Sequence, residues 1–482
     1  MTDLPGLSFR AALAAARKET PHAHHTYDQP LTRHEIAAHY AARHAGVPAT
    51  SSSRSEDIAL YTRVTDAAAG MPVVLGAFGD AERLRRWLPG LPRRMNEDTV
   101  ARLLAAYQEP KHLESSPFPH VRLGEDVDLG ALPALWATER DAGPYLTTGL
   151  LHAHDPRTGR GATAVHRMLV RDRNQLVIWM LPSRRLLAMY HEATERGERL
   201  PVSVNLGAPP AVMVASAVGS DFLPAGTSKT ALAGALAGGP VTMAPAVSQP
   251  VAVFAESEVV LEGYFDGTTA PEALPGRATG YSLPEVLGYD GNAAEDLPAI
   301  TVTAVTSREA PVFPAVIGPG REQSLILGLA GAVALGLSGA GGELLSDAHY
   351  SPAGGGMFLL VLRVRKSGPA DDERVRAMAR DVLERHRFAK VVVLVDEDVA
   401  PDSAEDVLWA ITTRSDLSAD ALHFTGFPRV GLDPSQGEAW AAARGREAAG
   451  SRTVVDATVP FALRERHGRS FPGAAHAGPA DD

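Results

Sequence analysis

The chain has 482 residues, enough for two or three domains with sizeable cores. Its 45% hydrophobic and 21% charged residues suit a soluble globular protein, and a formal net charge of −11 argues against a nucleic-acid-binding surface. With no cysteine, disulfides, thiolate catalysis and Cys-ligated metals are excluded, and the opening "MTDLPGLSFR" lacks a secretory leader, so a cytoplasmic protein is expected.

In chain order, residues 1–120 read as an N-terminal α/β domain. "SFRAALAAARKE" opens on a Ser cap with helical spacing, and "AERLRRWLPGLP" is a second helix ended by Pro and Gly. Between them "HAHH", His22 to His25, reads as exposed histidines in a Pro-flanked loop rather than a metal site. Residues 121–310 hold short strand runs, "LVIWML", "PVSVNLG", "AVMVASAVG", "VAVFAESEVVLEGYF" and "AITVTAVTS", parted by Gly, Pro and Asp turns, which predicts a barrel or sandwich. Residues 311–465 follow with an apolar helix, the strand "GGMFLLVLRVR", the helix "DERVRAMARDVLERHRF" and the strand "KVVVLVDEDV", a C-terminal α/β domain. Residues 466–482 read as a flexible tail. The uncharged run Ser324 to Gly342 is mostly Gly and Ala between Glu322 and Glu343, so it predicts a closely packed internal helix and no membrane span.

Generic motifs fail. "PAGTSKT" lacks the Gly directly before Lys that a phosphate loop needs, and no Gly-x-Gly-x-x-Gly turn or Gly-x-Ser-x-Gly elbow is present. One loop, "APEALPGRATGYS", sets the acid Glu272 five positions before the base Arg277 between Pro and Gly residues.

A linear series of segments is more telling: "GPYLTTG" followed by "DPRTG", then "SEVVLEG", "PEALPGRATGY", "DVLWAITTR" and "TVVDATVPF". Over roughly residues 120–465 these resemble the UbiD family of decarboxylases, which use prenylated FMN. The resemblance implies an α/β multidomain fold: an N-terminal α/β domain, a central split β-barrel of the flavin-reductase-like kind that holds the flavin, and a C-terminal α/β domain. It also implies a homo-oligomer, a flavin prenyltransferase as cofactor supplier, and reversible decarboxylation of unsaturated or aromatic carboxylic acids. In such enzymes the cofactor supplies the reactive carbon centre, and the protein supplies position, charge and a proton.

The family's site residues map onto this chain residue by residue. The triad Arg falls on Arg167, in "HR" with His166 where the family has "YR", and the first triad Glu falls on Glu272. The second triad acid falls on Arg277, a guanidinium that stays protonated and cannot deliver a proton. Glu285, in "YSLPEV", is a candidate replacement if its loop turns inward. The three ligands of the family's divalent metal, which anchors the flavin phosphate, fall on Ala162, Arg184 and Lys229, none of which binds a metal. The implied site is therefore Arg167, Glu272 and Arg277 for catalysis and Ala162, His166, Arg184 and Lys229 for the cofactor, with no metal ligand. Three readings remain open: a UbiD-like decarboxylase with prenylated FMN or FMN held without divalent metal; an enzyme on this fold acting on another anionic substrate without prenylated FMN; and a non-catalytic homologue. If the fold places Arg277 where the family's acid stands, Arg167, Glu272 and Arg277 are expected in one cluster, with two guanidiniums lowering the pKa of Glu272.

Overall fold

The computed structural model describes residues 3–44 and 55–470, except Pro156, Ser183, Ala278, Val286 and Pro319. Most of the expected tail therefore lies outside the described residues. The chain forms two compact units, one of residues 1–91, 106–220 and 225–323 and one of residues 92–105, 221–224 and 324–482.

In the first unit, helix Phe9–Glu19 starts at Ser8, whose side chain accepts the Ala11 N–H at 3.3 Å. A four-stranded sheet follows, ordered His24–Tyr27, Ile58–Tyr61, Val73–Leu75 and Phe313–Pro314. The "HAHH" residues are thus not simply a loop. His24 and His25 are strand residues paired in parallel with Ile58 and Ala59, and His25 Nε2 is 2.9 Å from Asp57 Oδ2. The last strand of this sheet lies some 240 residues beyond its neighbour in sequence. Ile36, Tyr40 and Leu75 also share one core cluster with Leu151, Val202 and Val302. That continuous core is why the expected N-terminal and barrel domains form a single unit.

The barrel has six strands: β1 (Tyr145–His154), β2 (Gly161–Asp172), β3 (Gln175–Ile178), β4 (Leu200–Leu206), β5 (Val259–Phe265) and β6 (Leu297–Ser307). They pair antiparallel in the order β1–β2–β3–β6–β5–β4, and β4 returns to β1, so the barrel closes and leaves no free edge among these strands. Leu151, Met168, Val204 and Leu261 belong to its core. The two acids of "SEVVLEG" are structural. Glu258 receives Arg10 Nη2 at 2.6 Å and the Val312 N–H at 3.1 Å, and Glu262 receives the Ser248 N–H at 2.7 Å.

Between barrel strands in sequence lie α1 (Arg185–Glu195), after β3, and α2 (Pro210–Ala217) and α3 (Lys229–Ala237), after β4. Helix α2 corrects an expectation, because "AVMVASAVG" reads as a strand. Pro210 sits in the first helical turn, where its missing N–H costs nothing, and seven of the eight residues are buried. A fully buried apolar run has no polar face, so its period cannot tell helix from strand.

Helix α4 (Arg321–Ser338) continues from the first unit into the second. Its glycines have a packing reason. A Cβ on Gly331 would stand 2.9 Å from the Tyr350 ring, and one on Gly328 would stand 2.9 Å from the Tyr350 carbonyl oxygen. Among the described residues, no helix is long and apolar enough to cross a membrane. The second unit has a five-stranded sheet ordered Leu345–Tyr350, Leu359–Val364, Val391–Val395, Gly450–Ala457 and Ala421–Phe427, with a parallel centre and antiparallel edges. The Arg of "DVLWAITTR" ends the helix Ala404–Arg414 and reaches Asp396 at 2.9 Å and Asp398 at 2.6 Å, tying that helix to the residues that follow strand Val391–Val395.

Candidate active site

Strand β2 carries Ala162, His166 and Arg167. The Arg167 side chain is 14% exposed and its guanidinium lies 5.2 Å from the Trp179 ring centre. Its Nε is 3.4 Å from Glu272 Oε1, and its Nη1 contacts Glu285 Oε1. Burial disfavours a charged Arg167, but Glu285 and Glu272 more than offset this and its pKa is raised. Arg167 Nε is buried and has no hydrogen-bond partner in the structure, so a donor remains for a ligand.

Glu272 precedes the turn that ends at Arg277. Its side chain is 1% exposed, and its backbone N–H donates to the Ala294 carbonyl at 2.8 Å. The Tyr145 hydroxyl donates to Oε1 at 3.3 Å and the Ala294 N–H to Oε2 at 3.4 Å. Burial raises the pKa of Glu272, with Arg167 pulling the other way, so this carboxyl keeps its proton to higher pH than an exposed glutamate does.

Arg277 is not in this cluster. Its Nε donates to the Asp141 carbonyl at 3.2 Å, its Nη2 to the Glu139 carbonyl, and its guanidinium lies 4.6 Å from the Trp136 ring centre. Three partners on the 136–141 segment outcompete one carboxylate already held by Arg167. The expected arrangement of Glu272 between two guanidiniums, with a lowered pKa, is therefore corrected on both points. Glu285 takes the second place beside Arg167. It follows strand Tyr281–Pro284, and its N–H donates to the Tyr289 carbonyl at 2.8 Å, which turns the side chain inward.

A second, cationic cluster forms around His166. Arg184 is the N-cap residue of α1, and Lys229 is the first residue of α3, whose cap Ser228 accepts the Ala231 N–H at 3.1 Å. Lys229 Nζ donates to the Thr163 carbonyl at 2.9 Å and the Ser216 carbonyl at 2.6 Å. His166 is held well below the ordinary imidazole range, at about 4, by burial first and by the charges of Arg184 and Lys229. Its Nδ1 lies 3.3 Å from the Trp179 carbonyl, which only accepts, so Nδ1 carries the proton. Nε2 is then a buried acceptor without a partner in the structure.

Basic side chains at helix starts oppose the macrodipole, typically by about 0.3–1 kcal/mol each. Two of them here, near one buried imidazole, fit an anionic group such as a flavin phosphate. Ala162 adds only a methyl group beside Ala153 of β1. Among the described residues, no group of three His, Asp or Glu is placed to hold a metal ion. Tyr145 and Trp179 escape the sequence reading, although both lie in quoted segments, because a buried aromatic ring carries no mark of what its polar atoms face.

Residues 111–322 match the family model described as the 3-octaprenyl-4-hydroxybenzoate carboxy-lyase Rift-related domain, and residues 340–457 match the C-terminal domain of the same carboxy-lyase. The chain is 30% identical over 338 residues to gallate decarboxylase of Lactiplantibacillus plantarum, covering 69% of each protein. It is similar to the crystal structure of the 3,4-dihydroxybenzoic acid decarboxylase of Klebsiella pneumoniae, with TM-score 0.85, 27% identity and coverage of 99% of this chain and 97% of that one. It is also similar to the UbiD-class enzyme HmfF of Pelotomaculum thermopropionicum in complex with FMN, with TM-score 0.80, 25% identity and 98% of each chain covered. The barrel and the α/β unit after it agree with these matches, and the chain belongs to the UbiD family of carboxy-lyases.

Proposed function

We propose that this protein decarboxylates an aromatic or unsaturated carboxylic acid with a flavin-derived cofactor, prenylated FMN or FMN, whose phosphate it holds without a divalent metal. The observation that carries the reading is the buried guanidinium of Arg167, flanked by two carboxylates and with one donor unpartnered. The relatives named as gallate and 3,4-dihydroxybenzoic acid decarboxylases support the aromatic class.

The prenylated flavin, when bound, supplies the carbon centre that takes up the electrons of the breaking bond. The remaining work belongs to the chain. Arg167 binds and orients the substrate carboxylate, with Trp179 fixing the guanidinium plane. Tyr145 and the Ala294 N–H hold the Glu272 carboxyl in place. Lys229 and Arg184 neutralise the cofactor phosphate directly, as fixed cations do at other phosphate sites. A divalent ion beside these two cations would be repelled. A flavin prenyltransferase would supply the cofactor, and a homo-oligomeric, cytoplasmic enzyme is the expected form.

A second reading has one specific observation in its favour. Positions 162, 184 and 229 carry none of the family's metal ligands, so the chain could be an enzyme that uses no prenylated flavin and acts on another anionic substrate. Co-expression with a flavin prenyltransferase separates the two. The proposed function requires bound flavin by absorption and mass spectrometry, and CO₂ release from a panel of gallate, 3,4-dihydroxybenzoate and cinnamate-like acids. Protein that stays colourless after reconstitution ends the first reading and promotes the second.

A further inference from the structure

Arg167 already faces two carboxylates, so a substrate carboxylate that takes its guanidinium competes with them for it. The two are not equally free. Glu272 is 1% exposed and held by Tyr145, the Ala294 N–H and its own backbone. Glu285 is 23% exposed and stands where a hairpin turns, closed by the Gly288 N–H to the Glu285 carbonyl at 2.9 Å, with Gly288 at φ +89°. Room for its carboxyl exists because position 291 is a glycine: a Cβ there would stand 3.0 Å from Glu285 Oε1 and 2.3 Å from Ser282 Oγ. Ser282 Oγ is itself buried without a partner, so a carboxyl leaving Arg167 has a hydroxyl to meet.

We propose that Glu285 replaces the acid lost at position 277: the incoming substrate carboxylate displaces it from Arg167, and in its displaced, protonated form it donates the proton that takes the place of CO₂. This rests on the decarboxylase reading above. A carboxylate that loses its guanidinium to a second anion and stays beside that anion takes up a proton, because two like charges at close range cannot both persist. The bond between the substrate carbon and its carboxylate then breaks, CO₂ leaves, and the electron pair stays behind. The Glu285 O–H bond breaks as the new C–H bond forms, so charge and protons balance. The resulting carboxylate returns to Arg167, the pairing seen in the structure, and the partial exposure of Glu285 lets solvent reload it. Arg167, Glu272, Glu285 and Tyr145 form this cluster, the charge of Asp141 reaches Tyr145, and Arg277 is held apart by Trp136 and the 139 and 141 carbonyls.

The test uses flavin-loaded protein. Calorimetric titration with 3,4-dihydroxybenzoate, repeated in buffers of different ionisation enthalpy, is expected to show uptake of about one proton on binding in wild type and close to none in Glu285→Gln. The same variant should bind flavin as wild type does, by fluorescence, yet lose CO₂ release by about 10²–10⁴-fold, with Glu285→Asp falling between the two. Binding by wild type without proton uptake, or Glu285→Gln turning over within about threefold of wild type, overturns the role of Glu285 and leaves the decarboxylase reading standing. Flavin-loaded wild type that neither binds nor decarboxylates any acid of the panel overturns both.

Discussion

At the scale of single residues, the mapping onto the family pattern puts a cation where an acid is expected at two positions, Lys229 and Arg277. Lys229 stands where a metal-binding Glu is expected and spends donors on the Thr163 and Ser216 carbonyls while its charge reaches His166. Lys229→Glu should weaken flavin binding by about tenfold or more, since a phosphate then faces a carboxylate, and added manganese should recover part of the loss. Fluorescence titration with and without metal measures this; an unchanged affinity would place Lys229 outside the cofactor site. Arg277 has a different task. Its cation–π and carbonyl contacts fasten the loop after Glu272 to the 136–141 segment. Arg277→Ala should therefore cost about 1–3 kcal/mol of stability and lower CO₂ release without abolishing it. Complete loss of turnover, with flavin binding and melting temperature kept, would mean that Arg277 acts on the substrate itself.

At the scale of elements, helix α4 begins in an acidic pocket. Glu322 is buried and accepts the Phe78 N–H at 2.9 Å, and Glu56 accepts the Tyr40 hydroxyl and the Arg321 N–H, each at 3.1 Å. Arg83 faces the same pocket and donates to the Ala77, Glu56 and Gly76 carbonyls. Burial, then the neighbouring Glu56, pushes Glu322 up to about 8 from an ordinary 4.5. Between those values the folded chain keeps a proton that the unfolded chain has released. This contribution is complete below about pH 4.5 and is lost as pH rises through 8, with a slope of up to about 1.4 kcal/mol per pH unit for one proton. Glu322→Gln mimics the protonated acid, keeps an acceptor for Phe78, and should flatten the fall in melting temperature between pH 5 and 8. A parallel fall in wild type and variant would show that Glu322 is ionised in the folded state.

At the scale of the whole molecule, the two units have separate cores: Leu151, Val204 and Leu261 contribute to one, and Val361, Val393 and Val455 to the other. Every residue assigned to the flavin or the substrate lies in the first unit. A ligand stabilises what it binds, by about 2.7 kcal/mol at a concentration of 100 Kd. Calorimetry should therefore show flavin raising the transition of the barrel unit and leaving that of the second unit in place. A single transition moving as a whole would mean that the two units unfold as one.

Much of this protein is written locally. Ser8 before an amphipathic run starts a helix, short apolar runs parted by Gly, Pro and Asp turns make barrel strands, and "GPYLTTG", "SEVVLEG" and "DVLWAITTR" carry the family resemblance. The mapping that sets Ala162, Arg184 and Lys229 at the family's metal positions and Arg277 at its acid position is likewise a reading of residue identity and needs no coordinates. Contacts between distant residues are another matter. Glu285 meets Arg167 across 118 positions, and Arg277 reaches Asp141 across 136. Nothing in the loop "PEALPGRATGY" says which way its Arg will swing, because Glu272 and Trp136 both attract a guanidinium and only packing decides between them. The sign of the Glu272 pKa shift depended on that choice: one guanidinium does not offset burial, where two were expected to. "AVMVASAVG" became a helix for a related reason, since a segment buried on every side is shaped by its neighbours and not by a period of its own. Sequence alone thus determined the family and, through that resemblance, the barrel, both carried by local pattern and residue type. Which carboxylate stands beside Arg167 was decided by tertiary structure, because only the closed barrel and the 281–292 hairpin bring those side chains within reach of one another.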